Sequence, residues 1–300
     1  MSAAIVAAAL ASCAGCFALK RDTQPLSAES ISGYEPYAQF ARAAHCLGGS
    51  QTWECGDACA ANKDFKLYAS GGDGTSDLPF YFVGYSPSLA SIIVAHGGME
   101  AQDLATALQG PYIAQAPVNL TMFPGVDEDT MVYAGFRDAH SRSADAVLAA
   151  VQETIATTGA AVLTTLGHGL GGALAEMDAA YLRLNIPYIR MNTVTFGKPR
   201  VGNAAWVDLV DANADSNARI NNMRDPIPVL PAQTSTYEHP TGEIHVVQEG
   251  MWLACIANNG REDDEDAECT IQSVRRMPDY LLISHQTGPY NGIFIGSEYC

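Results

Sequence analysis

Residues 160–172 read Ala-Ala-Val-Leu-Thr-Thr-Leu-Gly167-His168-Gly169-Leu170-Gly171-Gly172, and the step from the apolar run to the glycines decides the fold. Ala160 to Leu166 is short and uncharged, as a strand buried in the middle of a sheet requires. The glycines make a tight turn, and Leu170, Ala173, Leu174, Met177 and Tyr181 lay one apolar stripe along the helix that follows. Apart from its middle residue, Gly167–Gly171 is the G-x-S-x-G turn that raises a nucleophile between a strand and a helix. That turn needs glycine two residues to either side of its apex, because neighbouring backbone leaves no room for a Cβ atom. Both glycines are present. Leu170 then presents its N–H at the helix N-terminus, where the helix dipole favours a developing oxyanion. Gly169 stands where the hydroxyl is required.

Outward from the turn the same rhythm continues. Ala146, Val147, Ala150, Val151 and Ile155 recur at helical spacing over 143–158, and Gly159 caps that helix. Downstream, Thr193–Phe196 and Ala218–Met223 read as buried strands with a helix over Ala204–Val210 between them. Strand, helix, strand, helix, strand predicts an α/β fold whose central sheet is mostly parallel, with helices on both faces. Nearer the start, Pro36–Leu47 has helical spacing, and Phe80–Tyr85 and Ser91–Ala95 form a hairpin around Ser86-Pro87-Ser88. Residues 100–130, broken by Gly110-Pro111, Pro117 and Pro124-Gly125, read as a long, partly helical excursion over the surface.

A rival reading takes Gly167, Gly169 and Gly172 as the G-x-G-x-x-G loop of a nucleotide-binding protein. Against it, Pro187–Arg190 stand where the acidic residue closing a second strand belongs.

Bulk properties narrow the function classes. The 300 residues are 48% hydrophobic and 16% charged, which suits one α/β domain over 22–300. A formal charge of -17 argues against nucleic-acid or anionic-membrane partners, since phosphates are repelled. Residues 1–21, Ala-rich and ending in Lys20-Arg21, read as a secretory signal and short pro-segment, with no stable membrane anchor elsewhere. Of the eight cysteines, six lie beyond that segment, at 46, 55, 59, 255, 269 and 300, an even number suited to disulfides in an oxidising compartment. Their pairing is open to sequence alone. Cys55 and Cys59 lack the second ligand pair that zinc requires, and neither metal nor cofactor is expected. The acidic run 261–266 reads as a solvated loop, and Asn119-Leu120-Thr121 is a glycosylation sequon in keeping with secretion.

Three further stretches carry a resemblance: Thr195-Phe-Gly-Lys-Pro-Arg-Val-Gly-Asn203, Asp225-Pro-Ile-Pro-Val-Leu-Pro231 and Tyr237-Glu-His239. From about Tyr37 to Cys300 the chain resembles the fungal class 3 lipase and feruloyl esterase family, and Phe123–Val126 is similar to the yeast mono- and diacylglycerol lipases. The resemblance implies an α/β-hydrolase fold with a lid over the site. It implies Asp225 as the catalytic acid, His285 as the base, and the N–H groups of Met99 and Leu170 as the oxyanion hole. The lid maps to Glu100–Pro117, with Leu104, Leu108, Tyr112 and Ile113 as its lipid-facing or core-packing residues. It further implies the pairings Cys46–Cys300, Cys55–Cys59 and Cys255–Cys269 and a structural role for His239, while elbow geometry points His168 away from the apex, toward packing and hydrogen bonding.

The expected function is thus that of a secreted, monomeric carboxylic-ester hydrolase acting on acylglycerols or related lipid esters at an oil–water interface. In this form it lacks the nucleophile and is expected to be inactive. Two alternatives stand beside it: a non-catalytic lipid- or ester-binding relative, and nucleotide binding through Gly167–Gly172. On these assignments Gly169→Ser alone is expected to restore ester hydrolysis.

Overall fold

The computed structural model describes residues 23–109, 113–232, 236–256, 269–274 and 283–300. The expected signal segment, Tyr112 and the acidic run 261–266 lie outside these residues. The run at 160–166 forms β7 (Val162–His168), flanked by β4 (Ser91–His96) on one side and β8 (Arg190–Phe196) on the other. Beyond β8 come β9 (Ser216–Asn222) and β10 (Glu243–Gln248), and these five strands are all parallel. Antiparallel strands extend each edge. With β5 (Gln115–Pro117) and β6 (Met131–Tyr133) paired apart from them, β3 (Tyr81–Ser86) and β2 (Lys66–Gly71) follow β4, and β11 (Met251–Cys255) and β1 (Thr23–Pro25) follow β10, giving a nine-stranded mixed sheet. The expected parallel core is therefore present, but half of the strand pairings, those at the two edges, are antiparallel.

Alternation along the strands divides two cores. Tyr81, Val83, Ile92, Val94 and Leu163 face α5 (Ala134–Thr158), α6 (Leu170–Asn185) and α7 (Ala204–Asn213). Phe82, Ile93, Ala95, Leu166 and Phe196 form the other core, with α1 (Ala28–Ser32), α2 (Glu35–Ala43) and α3 (Gly56–Ala61). Burying one such Leu or Phe side chain contributes about 1.5–3 kcal/mol relative to leaving it in water. α5 starts nine residues before the expected Ser143. Its first turns carry Arg137, Asp138, Ser141 and Arg142 toward solvent, so the apolar period is weak there although Phe136, Ala139 and His140 are buried.

Register sets the site. His96 lies beside Gly167, Gly167 beside Thr195, and Thr195 beside Arg219. The segments leaving β4, β7, β8 and β9 therefore emerge together at the C-terminal edge of the sheet, where open α/β sheets build their ligand sites.

Candidate active site

Position 169 is the apex of the elbow. Gly169 has φ 55° and ψ -121° and caps α6, while its N–H donates to the Phe196 carbonyl at 3.0 Å. The flanking glycines are sterically required. A Cβ on Gly167 would come within 2.3 Å of the Gly171 backbone, and one on Gly171 within 2.3 Å of the His96 carbonyl oxygen. At the apex there is more room, since among the described residues a Cβ there meets Gln286 Nε2 at 3.1 Å and Leu104 Cδ2 at 3.4 Å. A serine fits the space but must adopt left-handed backbone, at a cost of roughly 1–3 kcal/mol.

Asp225 follows β9 and is fully buried. Its Oδ1 accepts the Ile227 N–H at 2.9 Å, and its Oδ2 has no hydrogen-bond partner. Burial, opposed only by that N–H, pushes the carboxyl well above the usual carboxylate range. The sign of the linkage follows: with the folded value raised, its stabilising contribution is present at low pH and is lost as pH rises through the folded value. Asp225→Asn is therefore expected to raise the melting temperature at pH 8, by an amount worth about 1–3 kcal/mol, and to lose that advantage toward pH 4. A lowered melting temperature at pH 8 would show that something compensates the charge.

A buried polar scaffold holds the segment after Asp225. Lys198 Nζ lies 2.7 Å from Glu176 Oε2 and donates to His239 Nδ1 at 3.0 Å. His239 Nε2–H in turn donates to the Pro228 carbonyl at 2.7 Å. Arg200 donates to the Val229 and Pro231 carbonyls at 2.6 and 2.8 Å, and Trp206 Nε1–H reaches Glu176 Oε1 at 2.9 Å. The stretches 198–200, 225–231 and 237–239 thus act as one structural unit, with His239 in the framework. Burial and the neighbouring cations keep the His239 imidazole neutral, well below its ordinary value.

The third expected member is placed differently. His285 ends a short 3-10 turn, Ile283–His285, and its Nδ1 accepts the Arg224 N–H at 3.3 Å, while its carbonyl accepts from Asn222 Nδ2 at 2.9 Å. It makes no hydrogen bond to Asp225, whose only partner is Ile227. Burial and the Arg224 charge lower its imidazole. The next residue, Gln286, faces the elbow instead and is 1% exposed. Its carbonyl accepts His168 Nε2–H at 2.7 Å and Tyr290 O–H at 3.0 Å, and its Nε2 donates to the Gly197 carbonyl at 3.0 Å. His168 therefore secures the Gln286 backbone, in keeping with the structural role expected for it, and burial holds its imidazole at about 4.

The remaining expected residues surround this cluster. Gly98 and Met99 follow β4, and Met99 is half-buried against the main core. Leu170 opens α6, where first-turn N–H groups have no intrahelical acceptor. The expected lid contains α4 (Ala101–Gln109), whose Leu104 and Leu108 are buried in the same core as α6. Leu104 lies over position 169, so α4 is closed on the site with Leu104 and Leu108 packed inward. Ile113 is half-buried, and its carbonyl accepts from Tyr237 O–H at 3.3 Å. All three implied disulfides are formed: Cys46–Cys300, Cys55–Cys59 and Cys255–Cys269.

Sequence reasoning missed Gln286, because a glutamine beside a histidine carries no chemical signal of its own. It also missed Asp178, whose carboxylate accepts from His96 Nε2 at 2.6 Å and His140 Nε2 at 2.9 Å with all three side chains at 0% exposure.

Comparisons with known proteins bear on the family and the fold. The family model for class 3 lipases matches residues 93–235. The chain is 27% identical over 220 residues to the secreted mono- and diacylglycerol lipase MDL5 of Malassezia globosa, covering 73% of this chain and 67% of that protein. It is 26% identical over 225 residues to secreted mono- and diacylglycerol lipase 1 of Fusarium solani, covering 73% and 64% respectively. Among solved structures, the lipase of Rhizomucor miehei superposes with a TM-score of 0.77 at 21% identity, covering 91% of this chain and 84% of that one, a likeness of fold.

Proposed function

We propose that the chain, which matches the class 3 lipase family model over residues 93–235 and resembles secreted mono- and diacylglycerol lipases, is a secreted member of that family that binds an acylglycerol or related lipid ester at this site without hydrolysing it. One observation carries the reading: the elbow is intact in every respect except that its apex has no side chain. Its ester carbonyl would rest against the N–H groups of Leu170 and Met99, and its acyl chain against Leu104, Leu108 and Ile113 as α4 moves aside. No acyl-enzyme can form, because position 169 offers no hydroxyl to attack the carbonyl carbon. Residual acceleration from an oxyanion hole alone is on the order of 10³–10⁴ over water, too slow for a digestive enzyme. The secreted character rests on its relatives, which are named as secreted lipases, and on the disulfides; no helix among the described residues is long and apolar enough to cross a membrane. Against nucleotide binding, the space before α6 is taken by Leu104 and Gln286, which meet a Cβ at 169 within 3.4 Å.

Equilibrium binding of a dansyl-labelled monoacylglycerol tests the proposal. Saturable binding that Gly169→Leu abolishes, by filling the apex, is the expected result. Binding indifferent to that substitution would place any lipid elsewhere and remove the proposal's basis.

A further inference from the structure

We infer that the side-chain amide of Gln286 occupies the place of the general base, so that this site lacks two members of a nucleophile–base–acid set and not one. The inference rests on the ester-site reading above and deepens it. Among the described residues, and apart from its own chain neighbours, the side chains within 4 Å of a Cβ at position 169 are Leu104 and Gln286. Gln286 Nε2, at 3.1 Å, stands where a proton acceptor for a serine hydroxyl would have to stand.

The other end of the same amide meets the acid. A Cβ on Gly197 would lie 2.7 Å from Asp225 Oδ2 and 2.8 Å from Gln286 Oε1, so these two oxygens border one spot. Neither has a hydrogen-bond partner. The amide thus spans from the carboxyl to the elbow, as the two nitrogens of an imidazole would, with one end toward each neighbour. Nor is this a loose surface side chain. Three hydrogen bonds, from His168, from Tyr290 and to the Gly197 carbonyl, fix its backbone and its tip. An amide nitrogen has no lone pair available for a proton at neutral pH, so Gln286 can position a hydroxyl but cannot accept its proton. His285, one residue away, has its Nδ1 committed to the Arg224 N–H.

Four variants of the full chain, checked for folding by melting temperature, decide the matter: Gly169→Ser, Gly169→Ser with Gln286→His, and each of these with His285→Ala. The probes are an alkyl fluorophosphonate and p-nitrophenyl butyrate. In the labelling step the serine Oγ–P bond forms as P–F breaks and fluoride leaves, and the imidazole introduced at 286 takes the Oγ proton. Gly169→Ser alone is expected to be folded and unlabelled. Adding Gln286→His is expected to give labelling and at least about a hundredfold faster ester hydrolysis, falling at low pH as the new imidazole protonates and unchanged by His285→Ala.

Two results would overturn the inference: labelling of Gly169→Ser alone that disappears with His285→Ala, or a folded double variant as inert as the single one. If the double variant does not fold, Gly169→Ser with and without His285→Ala still decides. Equal inertness supports the inference, and a loss on removing His285 defeats it. Failure of the ester-site reading shows separately, as absent lipid binding by the native chain.

Discussion

Replacing Asp178 with alanine is expected to cost about 3–5 kcal/mol of stability, because two fully buried imidazoles would lose their shared acceptor. Asp178 lies on α6, His96 at the end of β4 and His140 on α5, and their contacts of 2.6 and 2.9 Å join three elements beneath the elbow. Burial alone would raise the carboxyl, but His96 and His140 hold it at about 2. With the folded value depressed, its contribution is fully present above the unfolded value of about 3.9 and is lost as pH falls toward 2. Asp178→Asn keeps one acceptor oxygen, and a neutral imidazole can change tautomer to face the amide, so a smaller loss is expected. Urea denaturation of the two variants at pH 7 measures the difference. A loss below about 1 kcal/mol for the alanine variant would mean that water or rearrangement replaces the carboxylate.

The second large effect is acid lability. Burial, with His168 adjoining, lowers the His45 imidazole to about 3, and burial holds His168 at about 4. The two rings stack edge-on at 5.3 Å beside the Gly98 backbone. Both bind a proton in the unfolded chain from about pH 6.5 downward but not in the folded one until the lower values are reached. Stability is therefore unaffected above pH 6.5 and falls below it, by about 1.4 kcal/mol per pH unit for each ring. Asp225 opposes part of this slope, since burial raises its carboxyl, so the folded state holds that proton at pH values where the unfolded chain has lost it. Denaturant midpoints from pH 7 to 4.5 are expected to fall steeply, and His168→Asn to flatten the slope by one proton. A midpoint constant over that range would contradict the burial of neutral rings at this site.

Much of this architecture was legible in the sequence because the parallel core obeys simple periodicity. β7 and the elbow were legible together, since an uncharged run meeting spaced glycines has few structural solutions, and close backbone approach at Gly167 and Gly171 bears that out. The β10–β11 hairpin was not legible. Glu243-Ile244-His245-Val246 alternates polar with apolar over a short stretch only, and its polar side is buried too, with Glu243 accepting the Thr270 N–H and His245 donating to the Met223 carbonyl, tertiary partners that no local pattern announces. At the site, the acid segment was marked by its flanking prolines. The choice between His285 and Gln286 was different, because which of two adjacent residues in a short turn faces inward depends on tertiary hydrogen bonds from His168 and Tyr290. Chemical expectation favoured the histidine, and geometry turns the glutamine toward the elbow.

Fatty-acid release from a monoacylglycerol emulsion by the native chain, followed by titration beside a parallel binding measurement, tests the central claim most directly. Saturable binding with release no faster than on the order of 10³–10⁴ times the uncatalysed rate is the expected outcome. Multiple turnovers at rates of about 1 s⁻¹ or more, in the range of ordinary enzymes, would contradict it and require a nucleophile other than the residue at position 169.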